Sequence, residues 1–147
     1  MAIVQLTGVE KDYALGKTTV RALRGIDLAI ERGEFTSIAG PSGSGKTTLL
    51  NLVGCVDTAT RGQVTVDGQD TATLAERKLT DLRLHKIGFI FQTFNLIPVL
   101  DVFDNVEFPL LLQKGIGKAE RRERVMALIE KVGLTEQLKQ RPGELSG

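Results

Sequence analysis

At 147 residues, with 41% hydrophobic and 25% charged side chains, the chain is about one soluble globular domain long. The formal net charge of +1 excludes a global basic field of the kind that draws nucleic acid or an acidic surface. One cysteine, Cys55, excludes an internal disulfide framework, and no apolar run approaches the ~20 residues that span a bilayer.

In chain order, Ile3 to Val9 alternates in part and predicts a strand, preceded by no signal-peptide pattern. Lys11 to Lys17 is polar with one aromatic, Tyr13, and predicts a turn or loop. Val20 to Leu23 and Ile26 to Ile30 predict two strands; Arg32-Gly33 predicts a turn, and Glu34 to Ala39 another strand. A glycine-rich segment, Gly40 to Gly45, leads into a helix over Lys46 to Val53, whose leucines give it an apolar side. Asp57 to Arg61 reads as loop, and Gln63 to Val66 as a strand closed by the hairpin-type pair Asp67-Gly68. Leu74 to Lys86 predicts a helix and Ile87 to Phe91 a strand.

From Asp101, a good N-cap, the pattern turns helical, and Pro109 bends or ends that segment. Lys118 to Val132 is the clearest helix: Val125, Leu128, Ile129 and Val132 fall at i, i+3, i+4 and i+7, one stripe for packing, with Gly133 as the stop. Glu120 and Arg124 are placed to pair on its outer face. Cys55 reads as a small buried apolar residue, not a reactive thiol, and His85 as an ordinary helix residue.

Gly40-Pro41-Ser42-Gly43-Ser44-Gly45-Lys46-Thr47 fits G-x-x-x-x-G-K-[ST] at every fixed position, between a predicted strand and a predicted helix. Glycines let successive N–H groups curl toward a dense anion, and the helix adds its positive end. Lys46 is a compact cation for the β and γ phosphates, and the Thr47 hydroxyl a ligand for Mg²⁺. The pattern specifies nucleotide binding without choosing the reaction.

Other segments narrow the choice. Leu6 to Tyr13, the run Ala22 to Glu34, the extension of the loop through Thr48-Leu49-Leu50, the sequence Ile87 to Pro98 around Gln92, and the ending Arg141 to Gly147 together resemble the ATP-binding subunits of ABC transporters. The resemblance runs over essentially the whole chain. It implies an α/β phosphate-loop NTPase core with an N-terminal antiparallel β part and a C-terminal helical subdomain, divided as residues 1–92 and 93–147. It implies ATP and Mg²⁺ as cofactors, with Tyr13 stacking on adenine. Gly40, Ser42, Gly43, Ser44, Gly45, Lys46, Thr47 and Thr48 would hold the phosphates, and Thr47 and Gln92 the metal. Gln92 would also face the attacking water and the membrane subunit.

Leu145, Ser146 and Gly147 resemble the start of the family signature LSGGQ, which closes over ATP held by a second subunit. Within the family, Asn51 to Asp57, Phe91 to Leu96 and Asn105 to Leu110 look like the lipoprotein-release and macrolide-exporter branch. The implied partners are a membrane permease and a second ATP-binding subunit, not nucleic acid. The implied place is the cytoplasmic face of the membrane. The chain is expected to stop inside the signature, before the catalytic glutamate and switch histidine, and so to hydrolyse ATP negligibly and be marginally stable alone. A non-catalytic nucleotide-binding module and a different phosphate-loop enzyme, such as a small-molecule kinase, are the alternatives.

Overall fold

The computed structural model describes residues 2–145. Two units, residues 1–89 and 90–147, form separate compact bodies.

The first unit is built on two long strands, β1 (Ala2–Leu15) and β2 (Thr18–Glu31), paired antiparallel along their full length. With β3 (Arg61–Val66) and the two-residue β4 (Gln69–Asp70) they make one sheet in the order β2-β1-β3-β4. The two strands predicted between Val20 and Ile30 are thus one. The register slips between Val9/Ile26 and Glu10/Arg24, a bulge that takes up Gly25, so the local break in pattern does not end the strand. An opposite slip between Leu6 and Val9 keeps Val4, Leu6 and Val9 all buried, and the extra residue, Gly8, gives its N–H to Asp27 Oδ1 at 2.7 Å. Lys11 to Leu15 is strand, not loop, because β2 supplies a partner for every step. The β3–β4 turn is the predicted Asp67-Gly68, at φ 46° and 76°; two successive left-handed residues match the twist of paired strands, and glycine takes the second without Cβ strain.

α1 (Lys46–Val53) follows the glycine loop over the predicted span, and α2 (Glu76–Lys86) starts two residues later than the pattern suggests. Leu49 and Leu52 of α1 and Leu79 and Leu82 of α2 join Val4, Leu6, Val9, Leu23, Val64, Val66 and Cys55 in one apolar core. Each such side chain removed from water is worth about 1.5–3 kcal/mol. Residues 34–39 and 87–91, both predicted as strands, carry no ladder. A strand needs a neighbour for its N–H and C=O groups, and among the described residues the sheet strands pair only with one another. Phe35 and Ile90 stand fully exposed there, while Phe89 packs against Gly54.

The second unit pairs α3 (Val102–Leu111) with α4 (Lys118–Lys131). Asp101 caps α3 as predicted, accepting the Asp104 N–H at 2.8 Å, and Pro109 sits in the helix's last turn. Asn105 secures the preceding loop: its Oδ1 accepts from Ile97 N–H, and its Nδ2 donates to the carbonyls of Ile97, Leu100 and Asp101. Arg121 of α4 pairs with Glu107 of α3 at 3.1 Å, and Glu120 with Arg124 at 2.5 Å as the i,i+4 spacing predicts. Of the predicted stripe, Val125 and Ile129 are buried against Val102; Leu128 and Val132 are 51% and 67% exposed, because the face α3 covers is narrower than the stripe.

Candidate functional site

The glycine loop is laid on β2. Gly45, the N-cap of α1, has φ 90°, and a Cβ there would stand 2.6 Å from the Ala22 carbonyl oxygen and 2.9 Å from Leu23 Cδ2. Only glycine allows both that dihedral and that approach. A cavity of about 300 Å³ lies between Gly43 and Ser44 of the loop and Arg21 to Arg24 and Ile26 of β2.

The electrostatics are those of an anion site. No side chain caps the first turn of α1, and no acidic residue stands in it. The helix's leading N–H groups therefore keep their partial positive charge. The Lys46 ammonium lies over the loop, donating to the carbonyls of Gly40 and Pro41, both at 2.8 Å, and reaching Ser44 Oγ at 3.5 Å. Cation, helix end and curled backbone converge, while Ser42, Gly43, Ser44 and Thr47 are exposed.

Tyr13 belongs to this region. Its hydroxyl donates to Asp57 Oδ2 at 2.8 Å. Burial, and then the Asp57 hydrogen bond, push the Tyr13 phenol above its ordinary value; Thr48 and Lys11 oppose them. Asp57 accepts from Lys11 Nζ at 2.6 Å and from the Thr58 N–H at 2.7 Å. Burial raises the Asp57 carboxyl, but the hydrogen bonds from Lys11, Tyr13 and Thr58 and the Lys11 charge outweigh it and hold it below the usual carboxylate range. Sequence reasoning missed Lys11 and Asp57. The i,i+2 spacing of Lys11 and Tyr13 was a signal for the first; nothing local marks Asp57, 44 residues from its tyrosine partner.

The structure ties Tyr13 through Asp57 to the segment that follows α1, the helix whose first turn continues the glycine loop. Gln92 is exposed and belongs to the second unit. Leu145 packs at the edge of the α3–α4 core; Ser146 and Gly147 lie outside the described residues. Cys55 is buried and free, and burial raises its thiol, so it is a packing residue. His85 Nδ1–H donates to the Asp81 carbonyl within α2. Among the described residues no group of three or more His, Cys, Asp or Glu could hold a metal, and no helix is long and apolar enough to cross a membrane.

Comparison with known proteins converges on one family. A family model described as "ABC transporter" matches residues 23–147. The "Uncharacterized ABC transporter ATP-binding protein YknY" of Bacillus subtilis is 46% identical over 99% of this chain and 63% of its own length. "Macrolide export ATP-binding/permease protein MacB 2" of Aeromonas hydrophila is 46% identical over 99% of this chain and 22% of its own length. The ATP-binding cassette MJ0796 of Methanocaldococcus jannaschii, solved as a dimer in a post-hydrolysis state bound to ADP and Pi, superposes with a TM-score of 0.89 at 43% identity. That match covers 97% of this chain and 63% of the other. The chain thus spans less than two thirds of these relatives.

Proposed function

The chain belongs to the ABC transporter ATP-binding family, and from that premise we propose that residues 40–48 hold the phosphates of ATP while Tyr13 stacks on its base. The observation that carries this is the convergence of the Lys46 ammonium and the uncapped, acid-free start of α1 on one exposed glycine loop. Lys46 would leave the Gly40 and Pro41 carbonyls for phosphate oxygens, exchanging neutral acceptors for charged ones. The Thr47 hydroxyl and the Gln92 amide would hold Mg²⁺. Both are neutral oxygen donors, which suits a hard cation brought in on anionic phosphates. When bound, the metal supplies charge neutralisation across the phosphates.

In the whole protein this unit would couple nucleotide binding to a membrane permease through the segment around Gln92. It would do so as one of two ATP-binding subunits, with Leu145, Ser146 and Gly147 beginning the motif that meets the partner's nucleotide. Its place would be the cytoplasmic face of the membrane. The likeness to MacB 2 favours the macrolide-exporter branch, hence export. This polypeptide by itself would bind ATP with negligible turnover; phosphate release at the rate of an intact relative would overturn that.

Calorimetry with Mg-ATP tests the central assignment. Lys46→Ala should weaken binding roughly tenfold or more, the loss of a charge-assisted bond to phosphate. Undiminished affinity would end the reading.

A further inference from the structure

We propose that Asp57 and Lys11 are positioning residues for the Tyr13 ring, fixing it so that one face meets the Lys11 ammonium and the other is offered to a purine base. The inference rests on Tyr13 being the base-stacking residue. Strand periodicity puts positions 11 and 13 on the same face of β1. The Lys11 ammonium stands 4.9 Å from the centre of the Tyr13 ring, a cation over an aromatic face. A flexible lysine would not stay there unaided. Asp57 Oδ1 takes it at 2.6 Å, and the Thr58 carbonyl takes a second of its hydrogens at 2.8 Å. The other oxygen of the same carboxylate, Oδ2, takes the Tyr13 hydroxyl. One carboxylate therefore bridges the two side chains that define the ring's position.

The arrangement also meters the ring against the phosphate loop. Asp57 follows α1 and its N–H reaches the Asn51 carbonyl inside that helix at 3.2 Å. Ring and phosphate cradle thus share one rigid element, α1. A ligand with both a base and a polyphosphate gains from that fixed separation; a bare polyphosphate does not.

Calorimetry in Mg²⁺ with two probes, ATP and inorganic tripolyphosphate, separates the roles. Asp57→Ala and Lys11→Met should each weaken ATP binding by roughly three- to tenfold, with tripolyphosphate affinity kept within about twofold. Tyr13→Phe, which keeps the ring and drops the hydroxyl, should show the same selective loss and add little to Asp57→Ala. Retained tripolyphosphate binding also certifies that each variant is folded. Equal loss for both probes, or no loss for ATP, overturns the proposal when Tyr13→Ala weakens ATP alone. If Tyr13→Ala has no effect on ATP, the stacking assignment itself is wrong. Tyr13 is the only tyrosine and there is no tryptophan, so phenolate absorbance reads its environment directly. Asp57→Asn should bring the phenol titration to lower pH; an unmoved titration overturns the bridge.

Discussion

Among the described residues, the sheet and two helices of the first unit bury eleven apolar side chains in one cluster, whereas the second unit buries three, Val102, Val125 and Ile129, between two helices. The second unit leaves Phe94, Val99, Leu112, Leu128 and Val132 exposed over half or more of their surface. The first unit's stability is invested in the scaffold that fixes the glycine loop. The second is held by a thin core, a cap and an asparagine that gathers one loop. Such a region opens locally at lower free energy than a packed sheet.

The sharpest way to break this contrast is to cut each core. Leu52→Ala, at a fully buried position on α1, should cost about 3–5 kcal/mol in urea unfolding. Ile129→Ala in α4 should cost about 2–3 kcal/mol, since a thin core relaxes into the space more readily. Equal losses would show the two cores to be alike. Amide hydrogen exchange sharpens the point: α3 and α4 amides should exchange well before those of β1 and β3 in the native protein.

Asp101→Ala should cost about 1 kcal/mol by uncapping α3. The Asp101 carboxyl lies below its ordinary 3.8; the Asp104 N–H is the main cause, burial opposes it, and Lys139 adds to the lowering. A carboxyl depressed in the folded state contributes stability that is present above 3.8 and lost as pH falls through the folded value. Acid should therefore weaken the wild type over that window and the Asp101→Ala variant less, read from melts between neutral pH and the acid limb. The smallest effect belongs to Leu128→Ala, within about 0.5 kcal/mol, because half of that side chain is already in water. A cost near that of Ile129→Ala would mean the stripe is buried across its whole width.

Elements with local causes were legible in the amino-acid order. The span of α1, the Asp67-Gly68 turn, the Asp101 cap and the stop at Gly133 follow from side chains acting on their own backbone within a few residues. The glycine loop was legible for the same reason: its glycines and lysine act on one another over eight consecutive positions. Tyr13 was singled out by the family resemblance, but the element that carries it was not legible, since a polar stretch becomes strand only when β2 lies alongside.

What tertiary structure alone decided is everything that needs a distant partner. The bulge at Gly25 merges two apparent strands because β1 continues past it. Residues 34–39 and 87–91 have strand-like sequences and no ladder, because a strand is a relation between two segments and not a property of one. The α4 stripe is apolar by sequence yet half exposed, because burial depends on how much of it α3 can cover. Asp57 finds Lys11 and Tyr13 across more than forty residues of chain. Local sequence sets which conformations are cheap; only the folded whole supplies the neighbours that decide which of them are kept.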